Sequence, residues 1–131
     1  MHTLVVYLEL LQDCEEIQYQ PVLANDRFRE ILFQQIRHTV SNEPEEWFTS
    51  YVSKPSNFFF TREQLLGIFS EELCKKEAQE ILKYQQEDGS FVIPWQWGTD
   101  YPEFFISKQW WKSITIIKNF LFLRAFLDEP F

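Results

Sequence analysis

Glycine is scarce in this chain, with three among 131 residues, and proline adds only six. An all-β sandwich needs a turn signal every 8–12 residues or so, and that supply of turn formers is absent. The fold class expected by elimination is all-α. Cysteine is limited to Cys14 and Cys74. Both fall in helical patterns and far apart in sequence, so they read as reduced, buried thiols of an intracellular protein and not as a disulfide framework. Basic charge is short as well: net charge is −8, and no Lys or Arg precedes Arg27. Residues 1–46 hold nine acids against three bases, and residues 47–131 hold eleven against nine. Such a chain lacks the concentrated basic stripe that nucleic acid requires, and anionic membrane surfaces are disfavoured for the same reason. Long apolar runs are missing too. The most apolar segment, Ile114 to Leu127, is fourteen residues and contains Lys118 and Arg124, too short and too charged to span a bilayer. The start, Met1-His2-Thr3-Leu4, has no basic signal region. A soluble cytoplasmic chain of one domain, residues 1–131, is the expectation.

Motifs of catalysis are equally thin. Cys14, His38, Cys74 and His2 do not occur as the close pairs that metal sites use, so no metal or cofactor is expected. There is no G-x-S-x-G and no glycine-rich phosphate loop. The pairs Glu15-Glu16 and Glu71-Glu72 read as solvated helix positions. No catalytic residue is assigned.

What is present is helical periodicity. Residues 3–17 place Leu4, Leu8 and Leu11 on one face, and residues 23–41 repeat the pattern with Leu23, Phe28, Ile31, Leu32, Ile36 and Val40. Pro44 follows and predicts a stop, then a short helix to Val52 with Trp47, Phe48 and Tyr51 directed inward. Residues 53–57 read as a loop, and Phe58-Phe59-Phe60 as the hydrophobic anchor of the next helix start. Thr61-Arg62-Glu63-Gln64 matches a capping box. Residues 62–87 as one rod would run about 39 Å, against a radius of gyration of about 14 Å for a chain this long. Ser70-Glu71-Glu72 resembles a second helix start, so a break near Gly67 to Ser70 is expected. Leu73, Ile81, Leu82 and Tyr84 mark the buried face beyond it. Gly89 suits the position just after that helix, where positive φ is needed. Pro102-Glu103 opens a last helix that is apolar on almost every side, which predicts an inner helix surrounded by others.

The most informative stretch is Gln85-x-x-Asp88-Gly89-Ser90-Phe91, followed by Trp95-Gln96-Trp97-Gly98, Tyr101-Pro102-Glu103-Phe104-Phe105 and Trp110-Trp111-Lys112. It resembles the QW repeat of the terpenoid cyclase and protein prenyltransferase superfamily. Residues 44–127, about two thirds of the chain, are similar to the C-terminal part of bacterial members with prenyltransferase or squalene-cyclase repeats. The resemblance implies antiparallel helix pairs forming a partial α/α toroid, because a closed ring needs about twice the helices this length can supply. The chain is then a half-toroid, a truncated relative or a segment of a longer protein. The resemblance also implies that Gln85, Asp88, Gly89, Phe91, Trp95 and Trp97 form a structural turn. Gln85 closes it and stacks on Trp95 or Trp97, while Asp88 accepts amide hydrogens at a neighbouring helix start. Two departures from the superfamily stand out: there is no Asp-x-Asp-Asp acid, and no Asp, Cys and His set for zinc.

The aromatic cluster Trp95, Trp97, Tyr101, Phe105, Trp110 and Trp111 admits two readings. Rings can fill gaps between helix pairs, or line an apolar pocket where cations are stabilised by about 0.5–2 kcal/mol each. The expected function is a non-catalytic or vestigial toroid module. It would bind a partner protein, another copy of itself or a hydrophobic small molecule through this aromatic surface. The alternative is an isoprenoid-handling enzyme, or a subunit or fragment of one.

Overall fold

The computed structural model describes residues 1–16, 26–93 and 101–127, and apolar residues at three- and four-residue spacing organise most of them into helices. Trp95 and Trp97, and with them two members of the proposed turn and pocket, lie outside the described residues. Five α-helices occur among those residues: α1 His2–Glu16, α2 Asp26–Thr39, α3 Arg62–Ile68, α4 Glu71–Lys83 and α5 Pro102–Phe126. Two 3-10 turns, Pro44–Glu46 and Pro55–Phe58, fill the space between α2 and α3. No strand is formed among the described residues, only isolated bridges at Val40 with Ser53 and Gln85 with Phe91. The fold is all-α.

Local chemistry sets the helix ends. Thr61 caps α3 by accepting the Gln64 amide at 3.2 Å, and Ser70 caps α4 by accepting the Leu73 amide at 3.2 Å. Each such cap contributes about 1 kcal/mol. The break between α3 and α4 falls at Phe69, where the backbone turns extended at φ −123° and ψ 156°. Only one half of the Thr61 capping box forms, because the side-chain oxygen Oε1 of Gln64 is buried without a hydrogen-bond partner. Arg37, near the end of α2, donates to Ile68 O at 2.6 Å and Gly67 O at 3.2 Å. A guanidinium there satisfies carbonyls that the end of α3 leaves free and suits the negative end of its dipole.

Packing centres on the Pro55–Phe58 turn, which touches α1, α4 and α5. Phe58 is wholly buried there, among Leu8, Ile36, Leu65, Ile81, Phe122 and other members of one continuous core. Segment 53–57, expected as a plain loop, is thus partly a 3-10 turn and a hub of the core. Helices α4 and α5 pack directly and run antiparallel. Arg62, beside the start of α4 through its 2.7 Å contact to Glu71, also lies over the Phe126 ring at the end of α5. At the other end, Asp88 beyond α4 meets Lys112 at 3.8 Å.

Several expectations are corrected, and the first is the short helix from Pro44 to Val52, which is a 3-10 turn over Pro44–Glu46 alone. Tyr51 points outward, at 73 % exposure, while Trp47 and Phe48 are buried as expected. The tryptophan satisfies its ring N–H on Ser41 O at 2.9 Å. Helix α4 ends at Lys83, not near residue 87, so Gly89 is not its C′ residue. Its φ of 81° serves a separate turn instead. A further correction concerns α5, which is not an inner helix. Asn119, Phe122, Leu123 and Phe126 are buried, but Phe105 is 66 % and Trp110 70 % exposed, with Ile106, Ile114, Ile117 and Leu121 also uncovered. An apolar residue marks an affinity for burial and not its achievement, and among the described residues the buried positions of α5 lie on one side only.

Since Phe122 is one of the largest fully buried side chains, Phe122→Ala is expected to lose about 3–5 kcal/mol in urea unfolding. Leu82→Ala, at a position expected as core but 40 % exposed, should cost under about 1 kcal/mol.

Candidate functional site

The corner after α4 is built by its own side chains. Gln86 N donates to Ser90 O at 2.7 Å and Gly89 N to Gln86 O at 2.9 Å. The Gln85 side-chain amide donates to Gly89 O at 3.2 Å, and Asp88 accepts from both the amide and the hydroxyl of Ser90, at 3.0 and 2.6 Å. These bonds hold the Asp88 carboxyl below its ordinary range, with Lys112 adding to the effect. Among the described residues, Asp88 thus bonds within its own turn. Phe91 is buried and meets Phe120 edge-on at 6.1 Å between ring centres, so the corner is tied to α5 by both a ring and an ion pair.

Between this corner, the segment Trp47–Asn57 and α5 lies a cavity of about 820 Å³. Trp47, Phe48, Val92, Trp111 and Ile114 give it an aromatic and aliphatic wall, and Ser56, Asn57, Thr115 and the buried Asn119 add polar groups. A volume of this size, with apolar walls and polar groups set among them, is within the range of small-molecule sites. Lys54, Lys118 and His2 also line it, and among its described lining residues there is no carboxylate. That is a local inversion of sign in a chain with twenty acids and twelve Lys and Arg. Lys54 Nζ sits 3.8 Å from the centre of the Phe48 ring, which in turn stacks on Tyr84 at 4.8 Å. This holds the ammonium in place by about 0.5–2 kcal/mol.

Behind the Ser56 wall lies a residue that the sequence reading passed over. Glu77 of α4 is completely buried, accepting the Ser56 amide at 2.9 Å and its hydroxyl at 2.5 Å. Burial pushes its carboxyl pKa upward, opposed by the Lys54 charge and the Ser56 bonds. Burial likewise lowers the Lys54 ammonium, with Glu77 opposing. One turn earlier on α4, burial and then the Glu77 charge push the Cys74 thiol up to about 12. A thiol so shifted is almost wholly protonated at neutral pH and a poor nucleophile. Among the described residues, no group of three or more His, Cys, Asp or Glu could hold a metal ion. No helix among them is long and apolar enough to cross a membrane.

Of the residues expected to form an apolar pocket, Trp111 lines the cavity, whereas Tyr101, just before α5, and Phe105 and Trp110 on it are exposed and are not among its lining residues. Trp47, Phe48, Lys54, Ser56, Lys118 and Asn119 were missed. Glu77 did leave a signal: with Cys74, Ala78 and Ile81 it occupies the i, i+3, i+4, i+7 phase of the apolar face of α4. Comparison of the chain with family models, curated proteins and solved structures finds no match.

Glu77 makes stability depend on pH in a definite sense. An acid whose folded pKa is raised gives full stability below its unfolded value, ordinarily 4.5, and loses it as pH rises through the folded value. Glu77→Gln retains acceptor and donor capacity toward Ser56 and should flatten that decline as pH rises above about 4.5. Glu77→Ala should instead cost about 1–3 kcal/mol for the orphaned Ser56 groups, with more for the void. Urea unfolding across pH measures both.

Proposed function

We propose that this chain is a non-catalytic binding module, and that it holds an amphiphile with an apolar body and an anionic head in the cavity between Trp47 and Trp111. The observation that carries the reading is the lining itself: aromatic walls, Lys54 and Lys118, and no carboxylate among the described residues. In a chain of net charge −8, an anion would meet repulsion over most of the surface and attraction there. The rings supply area at low entropic cost, and an ammonium is strongest against a carboxylate or phosphate. The Gln85–Phe91 corner, closed by its own side chains, supports kinship with the toroid repeats of terpenoid cyclases and prenyltransferases. The packed antiparallel pair α4 and α5 is compatible with a segment of such a ring. The cytoplasm is the compartment that suits two reduced cysteines.

A second reading, an isoprenoid-handling enzyme or a subunit of one, draws on the same cavity, since isoprenoid diphosphates belong to this class of amphiphile. It needs an acid or metal to ionise the substrate, and the buried Glu77 sits behind Ser56, not among the lining residues.

Isothermal titration with dodecyl phosphate below its micelle concentration should give saturable binding. Dodecyltrimethylammonium should give none, and comparable binding of the cation would end the proposal. Lys54→Met with Lys118→Met should weaken the phosphate by about tenfold or more. Incubation with farnesyl and geranylgeranyl diphosphate, with and without magnesium, should leave both unchanged; turnover would install the enzymatic reading instead.

A further inference from the structure

We infer that the chain pairs with a second copy of itself through the outer face of α5, the two helices lying antiparallel about a twofold axis between Ser113 and Ile114. On that face Ile106, Trp110, Ile114, Ile117 and Leu121 recur at three- and four-residue spacing, each 49–70 % exposed. Residues so spaced share one side of a helix and form a stripe about 23 Å long. Monomeric proteins seldom leave a contiguous apolar patch of that extent uncovered.

The charges identify the occupant. Along the outer face, Gln109 and Ser113 are polar residues of the middle, the exposed Lys118 stands at its border with the cavity, and charge occurs at its ends, as Glu103 in the first turn and Arg124 in the last. Lys112 points toward the corner, meeting Asp88 at 3.8 Å, and Lys108 toward Phe104, 6.0 Å from its ring centre. An interfacial lipid-binding helix needs a polar face rich in Lys and Arg flanking its apolar side. The stripe on α5 is instead flanked by a single exposed cation, Lys118 on the cavity side, and is acidic at one end and basic at the other. A copy of the same helix, reversed, complements it: Glu103 then lies opposite the partner's Arg124, and Arg124 opposite the partner's Glu103. In that register Ile106 faces the partner's Leu121, and Trp110 faces the partner's Ile117. Twofold interfaces are self-complementary in just this way, and a crossing near 20° keeps both ends within reach. The cavity lies to the side of this interface, with Ile114 on the border of both.

Sedimentation of the full chain from about 1 to 100 µM should show a monomer–dimer equilibrium. Trp110→Glu should abolish the dimer while circular dichroism remains that of the parent, because the side chain is outside the core. Glu103→Arg should weaken pairing by tenfold or more, and adding Arg124→Glu should restore it. Ser113→Cys should oxidise to a covalent dimer, since the two positions lie within about 2 Å along the axis. Gln109→Cys should not, its copies being about 14 Å apart along it. Both native cysteines are buried and leave this assay clean. A parent chain that stays monomeric at the highest concentration would overturn the inference. So would a dimer indifferent to Trp110→Glu, or one cross-linked at residue 109 and not at 113.

Discussion

The bond between the Ser56 backbone and the Glu77 carboxylate is the contact on which the middle of the molecule depends. The Pro55–Phe58 turn touches α1, α4 and α5, yet four residues of 3-10 turn have almost no intrinsic stability. Glu77 fixes that turn to α4 through two hydrogen bonds, and Phe58 is thereby held in the centre of the core. Burying a carboxylate is costly, and the cost is tolerable only where donors are supplied in good geometry. Ser56 supplies two, and the Lys54 charge reinforces them. The same turn forms part of the cavity wall, so the group that organises the core also sets Ser56, and Lys54 beside it, along that wall.

Much of the helical framework was legible because it rests on local rules. The pauses at Pro44, Phe69–Ser70 and Pro102 follow from proline geometry and from hydroxyl capping, which are properties of a few neighbouring residues. The end of α4 was not legible to better than several residues. The Gln85–Phe91 bridge and the Gln86 to Ser90 bond compete for backbone groups that a longer helix would have used. That competition depends on residues on both sides of Gly89 acting together.

Tertiary environment was the less legible level. Glu77 sits within Lys75-Lys76-Glu77-Ala78-Gln79-Glu80, a stretch that reads as solvated helix surface on composition. Only its phase relative to Cys74, Ala78 and Ile81 marks it as inward. The cavity was out of reach for a related reason: it joins the Trp47–Asn57 segment to α5, which are some sixty residues apart in sequence. Of the aromatic cluster noted in the sequence, Trp111 alone among the described members faces that space. A count of rings carries no information about which side of a helix each one occupies.

The even spread of apolar groups around α5 has an energetic corollary. A helix with a distinct oily side has one favoured roll angle against its neighbours, but one that is oily on all sides could bury several faces at similar gain. What selects the observed roll are the few groups that tolerate a single setting: Lys112 against Asp88, Asn119 sunk beside the cavity, and Phe122 and Phe126 interlocked with Phe59. Azimuthal degeneracy, lifted by a handful of polar and aromatic pins, is thus built into the longest helix of the molecule.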